Sequence, residues 1–217
     1  GQPAAEWGLP TSESEFAVTH LSLNFFVIEA EQTDRAVVWN DASTTADTGL
    51  LTDSTLTGLN MGAAGITYAA LEELTIHLGS VSDEFNIWST DPGTVTTVNA
   101  GAGNDVINAG SLAPAVGGDL NAIAGAVIVE GQAGTDVLNI DDTGDSLANT
   151  GASTSTEITG LGMGVGITYG TFETLNISLG SAGDVFTIAS THPGATNLYG
   201  MAGGDVLGVR TIAGVTT

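Results

Sequence analysis

The sequence predicts an all-β chain folded as a parallel β-helix, or β-solenoid, built from two tandem repeats of about 100 residues. Two stretches carry that expectation because they copy each other. Thr57 to Gly93 and Thr159 to Gly194 agree at 22 of 36 aligned positions with one gap, and self-similarity at a fixed interval is the signature of a repeat architecture. Apolar and polar residues alternate in both copies, with Leu74, Ile76 and Leu78 in the first and Leu175, Ile177 and Leu179 in the second, and a period of two marks half-buried strands. A turn also recurs inside each unit: Asp83 and Asp105 are 22 residues apart, and Asp184 and Asp205 are 21 apart. That step suits one coil of stacked parallel strands. Two immunoglobulin-like sandwiches fit the same unit length, but the short step within a unit favours the solenoid.

Residues 1–15 fall outside the repeat as an N-terminal extension, residues 16–120 form unit one and residues 121–217 form unit two. Asp34 pairs with Asp136, Gly58 with Gly160, Tyr68 with Tyr169 and Asp105 with Asp205, so the offset drifts only from 102 to 100. Counting each Asp as zero, positions +2 and +4 hold Phe85 and Ile87, Ile107 and Ala109, Leu138 and Ile140, Phe186 and Ile188, and Leu207 and Val209. Those side chains are expected to point inward from a strand that follows a turn. The interval of 31 between Asp105 and Asp136 reads as one coil plus a loop at SLAPAVGGDLN, and the 48 between Asp136 and Asp184 as two coils. Thirty-one glycines, with Ser, Thr, Asn and Asp around them, supply tight turns between short strands. No long stretch shows helical periodicity.

Composition narrows the partners. Twenty-five acidic residues face two arginines, Arg35 and Arg210, with no lysine, for a formal charge of −23. Nucleic acids and anionic lipid surfaces are bound mainly through lysine and arginine, so neither is an expected partner. Like charges also repel within the compact state, and divalent cations would relieve that repulsion. The absence of cysteine removes disulfides and thiolate metal sites. No apolar run is long enough for a membrane-spanning helix. The first residues, GQPAAEWG, begin without methionine, which suggests a processed or excised chain.

The turns that precede the strands read AGAGNDVIN (100–108), GQAGTDVLN (131–139) and GMAGGDVLG (200–208), with looser forms LGSVSDEFN and LGSAGDVFT. They resemble the glycine- and aspartate-rich calcium-binding nonapeptide of the RTX family. The longer signature I-x-Y-x-x-x-E-x-L-x-I-x-L-G-S-x-x-D-x-F-x-I occurs at 66–87 and 167–188. It is similar to the tandem repeats of very large, calcium-binding, adhesin-type secreted bacterial proteins. The chemistry of the turn agrees with that resemblance, since glycine lets carbonyls converge and Asp offers a hard oxygen ligand. The resemblance implies calcium as cofactor and Asp105, Asp136, Asp205, Asp83, Asp184 and Asp34 as metal ligands. It departs from the RTX pattern because single motifs stand about 21 residues apart and are not back to back. Glu72 and Glu173 recur with the signature and read as acceptors of backbone N–H groups at a strand start. Asp141, Asp142 and Asp145, in NIDDTGDS, read as a solvated loop that could hold calcium, and His20, His77 and His192 as surface residues.

The functional expectation is a secreted or cell-surface bacterial structural protein rather than an enzyme: an adhesin stalk segment, spacer or filament subunit. A lyase would need an arginine or lysine base beside bound calcium, and Arg35 and Arg210 lie near opposite ends of the sequence. Expected partners are neighbouring repeats of the same chain, or further copies stacked head to tail. The segment LSLNFFVIEAEQ (21–32) corresponds to NAIAGAVIVEGQ (121–132), so the chain holds almost two whole units in phase. A carbohydrate-binding module of an adhesin is the alternative, with glycans as partners and Trp7, Trp39 and Trp88 among the residues able to stack on sugars.

Overall fold

The computed structural model describes residues 32–213, all in strands, turns and loops with no helix. The N-terminal extension and most of segment 21–32, including Trp7 and His20, lie outside the described residues. In chain order the strands are β1 (Arg35–Trp39), β2 (Thr48–Leu51), β3 (Thr55–Gly58), β4 (Ile66–Thr67), β5 (Glu73–His77), β6 (Glu84–Ile87), β7 (Val95–Asn99), β8 (Ala102–Gly103), β9 (Val106–Ala109) and β10 (Val127–Glu130). They continue with β11 (Ala133–Gly134), β12 (Val137–Asp141), β13 (Thr150–Ser153), β14 (Glu157–Gly160), β15 (Ile167–Gly170), β16 (Thr174–Ser178), β17 (Val185–Ile188), β18 (Ala195–Tyr199) and β19 (Val206–Val209).

Two large sheets result. Sheet I has the order β1-β5-β7-β10-β15-β14-β13-β17-β19, and sheet II the order β18-β16-β12-β9-β6-β2-β3-β4. Most neighbours are parallel, such as β5 with β7 and β12 with β16. The antiparallel pairs are confined to two meanders, β2-β3-β4 and β13-β14-β15. Apart from these meanders and the short β8 and β11, successive strands alternate between the two sheets along the chain.

Alternating side chains explain how the sheets share one interior. Leu74 and Ile76 on sheet I and Phe85 and Ile87 on sheet II are buried in the same apolar cluster, as are Leu175, Ile177, Phe186 and Ile188 in the second unit. Burying a side chain of this size stabilises by roughly 1.5–3 kcal/mol. The +2 and +4 positions point inward at four of the five turns, at most 1% exposed. At the fifth, Leu207 is 46% and Val209 53% exposed, because β19 is the edge strand of sheet I.

The meanders show why Thr57-Gly58-Leu59 recurs as Thr159-Gly160-Leu161, the TGL repeat. Gly58 and Gly160 have φ of 82° and 79°, and a Cβ on either would lie 2.0 Å from the carbonyl oxygen of Thr48 or Thr150. Only glycine permits that approach. Tyr68 and Tyr169 pin the same meanders, donating their hydroxyls to the carbonyls of Thr52 and Thr154. Burial pushes both phenols up to about 12.

The repeat does not map each sheet onto itself. Strands β1, β5 and β7 of sheet I correspond in sequence to β12, β16 and β18 of sheet II, and β2, β6 and β9 of sheet II to β13, β17 and β19 of sheet I. From β1 to its counterpart β12 the chain passes between sheets seven times, by way of β2, β5, β6, β7, β9 and β10. An odd number of passes puts the second copy of each strand in the opposite sheet.

Candidate functional site

Acidic side chains that precede the strands form two columns. Asp47, Asp83, Asp105, Asp136 and Glu173 stand before the neighbouring sheet II strands β2, β6, β9, β12 and β16. Each side chain accepts the backbone N–H of the residue before it in the column: Asp47 N–H to Asp83 Oδ1 (2.7 Å), Asp83 N–H to Asp105 Oδ1 (2.7 Å), Asp105 N–H to Asp136 Oδ1 (2.8 Å) and Asp136 N–H to Glu173 Oε2 (2.6 Å). On sheet I, Asn149 donates its backbone N–H to Asp184 and Asp184 to Asp205, at 2.7 and 2.9 Å, while Asp34 donates to Glu72 at 2.6 Å.

The structure therefore brings together Asp83, Asp105 and Asp136 in one column and Asp184 and Asp205 in another, with Asp34 beside Glu72. The intervals of 22, 31 and 21 each join neighbours of a column. The interval of 48 does not span two coils as expected. Asp136 precedes a sheet II strand and Asp184 a sheet I strand, so the step crosses from one column to the other.

These columns are short of donors. Asp83 Oδ2 accepts from the Gly79 N–H at 2.9 Å, but Oδ2 of Asp105, Asp136 and Asp184 is sealed from solvent with no hydrogen-bond partner. An unsatisfied buried acceptor costs about 1–3 kcal/mol. Burial, reinforced by the neighbouring carboxylates Asp136 and Asp83, pushes Asp105 up to about 6 despite the Asp83 N–H. Burial and the Glu173 carboxylate likewise hold Asp136 above its usual range. Arg35, on β1, is engaged with Glu73 at 3.5 Å, and Arg210 follows β19; among the described residues these two strands are the opposite ends of sheet I.

A second acidic group was misread from the sequence as a solvated loop. Asp142 is fully buried and Asp145 is 5% exposed. The Asn149 amide donates to both, at 3.3 and 2.8 Å, and the Asn121 amide to Asp145 at 3.3 Å. Burial and the charges of Asp145 and Asp184 push Asp142 up to about 7. Burial acts the same way on Asp145, but donors from Leu147, Asn149, Asn121 and Ser146 outweigh it and hold that carboxyl below the usual range. Unit one builds the same node with the charges exchanged. Asn40, Ser43 and Asn60 all donate to the single carboxylate of Asp47, where unit two has Asp142 and Asp145 around Asn149. The offset of 102 links Asn40 to Asp142, Ser43 to Asp145 and Asp47 to Asn149, and that pairing was the signal available in the sequence. Among the described residues, no three His, Cys, Asp or Glu side chains converge tightly enough to form a metal-binding group.

His192 also departs from expectation. It is 5% exposed, packed edge-on against Tyr169 at 5.8 Å, because its turn folds beneath the second meander. Burial lowers its pKa. His77 stays outward and stacks on Trp39, with ring centres 4.1 Å apart.

The outer face of sheet II carries a feature that sequence reasoning missed. Asn108 donates its side-chain amide to Asn86, Asn139 to Asn108, Asn176 to Asn139 and Asn197 to Asn176, at 2.7–2.9 Å. The loop between β9 and β10 folds over one end of this ladder. Trp88 Nε1 donates to the Ala113 carbonyl at 2.6 Å, and Asp141 Oδ2 accepts the Gly118 N–H at 2.9 Å. Between the loop and the ends of β12, β16 and β18 lies a groove of about 320 Å³. Comparison with protein-family models, with curated proteins and with solved structures finds no match.

Proposed function

We propose that this chain is an extracellular, calcium-stabilised structural or adhesive β-solenoid, in which one pass to each sheet makes a coil. The strict alternation of strands between two mainly parallel sheets supports the coil. The observation that carries the structural role is the open last rung. Leu207 and Val209 are half exposed, whereas their unit-one counterparts Ile107 and Ala109 are at most 1% exposed. In unit one the strand that covers the edge of β7 is β10, and the counterpart edge, on β18, ends sheet II. An unpaired sheet edge is a template for another strand, and a copy of this chain stacked head to tail, or a neighbouring repeat, would offer one of matching pattern. Such a contact is heterologous and non-closing, which makes filaments.

Calcium fits the chemistry of the columns, which present hard carboxylate oxygens without counter-charges. Asp105, Asp136 and Asp184, through their unpartnered Oδ2 atoms, are the ligands best placed to hold it, with Asp83 and Asp205 in the same columns and Asp34 apart from them beside Glu72. Bound cations would stabilise the folded state by mass action and relieve a charge of −23. The role is non-catalytic.

Sedimentation velocity and electron microscopy, with millimolar calcium and with EDTA, test this reading. Fibres that grow lengthwise support the filament form. Monomers that melt higher in calcium support the stalk form. Equal melting temperatures in calcium and EDTA would remove the calcium from the proposal.

A further inference from the structure

The asparagine ladder follows the sheet and not the repeat. Asn139, Asn176 and Asn197 in unit two correspond to Val37, Thr75 and Thr97 in unit one, and Asn86 and Asn108 correspond to Thr187 and Gly208. None of the five ladder positions keeps asparagine in its repeat partner, yet the five are consecutive neighbours on sheet II. The matching outward row of sheet I runs Val37, Thr75, Thr97, Ile128, Thr168 and holds no asparagine. Duplication alone would have given both faces the same residues, so one face has been made different from the other.

The ladder has chemistry to spare. An asparagine side chain has two N–H donors and two acceptor lone pairs, and the ladder uses one of each at Asn139 and Asn176. Asn86 and Asn108 are buried, whereas Asn139 and Asn176, which line the groove together with Asn108, are half-buried. Their spare donors and acceptors repeat at the ~4.8 Å strand spacing, close to the advance of one sugar ring along a chain. One wall is the loop at Pro114, Ala115 and Val116, fixed by the Trp88 and Asp141 contacts and by the Gly117 N–H on Thr143 Oγ1 at 2.8 Å. The other side ends on Tyr199, an aromatic ring 48% exposed. Amides in register, an exposed ring and a wall held rigid in advance are what a hydroxyl-rich, uncharged ligand requires. The charge of −23 disfavours polyanions.

We infer that the groove over Asn139 and Asn176 binds a neutral glycan chain, with the amides hydrogen-bonding its hydroxyls and Tyr199 stacking on a sugar face. The site uses the ladder of sheet II and neither calcium nor self-assembly, so it and the structural reading can fail separately.

Isothermal titration calorimetry on the whole chain, in EDTA and in calcium, tests it with cellohexaose, chitohexaose and maltohexaose as neutral probes and hexagalacturonate as the acidic control. Binding of at least one neutral probe is expected, tenfold or more weaker in Tyr199→Ala and in Ala115→Glu, both exposed positions outside the ladder. Trp39→Ala, on the outer face of sheet I, should bind as the parent does. Circular dichroism identical to the parent confirms that each variant is folded. Failure of all three neutral probes at millimolar concentration overturns the inference. Equal binding of the acidic control, or parental binding by both groove variants, overturns it too.

Discussion

Asp105 rests one carboxylate oxygen on the Asp83 N–H and has nothing to satisfy the other, and that imbalance sets how the chain responds to acid. Its usual value of 3.8 is raised to about 6 in the fold, and that of Asp142 to about 7. A folded state that holds protons more tightly than the unfolded chain gains stability at low pH. This gain is complete below pH 3.8 and is lost as pH rises through 6 and 7. In EDTA, the contribution of these groups should lower the urea midpoint between pH 4 and 7 and then level off, with Asp105→Asn and Asp142→Asn together flattening the slope. A slope unchanged in the double variant would mean that other carboxylates control it. If calcium occupies the columns, it should raise the midpoint at pH 8 and do little at pH 4, where protons already neutralise them. The turn aspartates were visible in the sequence as a recurring pattern. The sequence could not show that each accepts from the strand next door, since that depends on which strand lies beside which.

Among the elements, the two meanders combine the clearest sequence signal with a very close backbone approach. At Gly160, φ is 79° and an added Cβ would meet the Thr150 carbonyl at 2.0 Å. Gly160→Ala should therefore destabilise by roughly 2 kcal/mol or more, while Gly204→Ala, with open space around it, should stay within about 0.5 kcal/mol. Thermal melts of the two variants make the comparison, and equal melting temperatures would contradict the close approach. The TGL repeat and the inward +2 and +4 positions were legible because the first is a local run of identical residues and the second a local alternation of apolar and polar ones. The antiparallel course of the meanders was not, because β3 and β4 are too short for periodicity to reveal. The asparagine ladder was hidden for a different reason: its members sit at unequal repeat positions and become neighbours only through the parallel register. Asn176→Ala should cost about 1 kcal/mol, the net worth of a typical hydrogen bond, and more than Thr75→Ala at its repeat partner, where no such ladder runs. Urea titrations of both variants check this.

For the molecule as a whole, the same residue type has a different value at the closed and open ends. Ile107 is fully buried and Leu207, its repeat partner, is 46% exposed. Ile107→Ala should cost about 2–5 kcal/mol and Leu207→Ala much less in the isolated chain. If a further rung covers Leu207, that small cost becomes a large loss of association, readable by sedimentation at increasing concentration. The all-β class was plain in the sequence, whereas the parity of the repeat was not, because a sequence offset carries no record of which sheet receives the copy. Seven passes per repeat have a consequence for display. In a long array, any patch inherited faithfully by duplication faces front in one unit and back in the next. Neighbouring units cannot offer it to the same flat surface. An array of perfect copies is two-sided, and only alternate units work together on either side. A continuous one-sided strip requires adjacent repeats to diverge, with each unit gaining on one sheet what its neighbour carries at a different sequence position. The asparagines show that divergence in progress, and the place to look for a working face in a longer chain of this type is wherever the copies disagree.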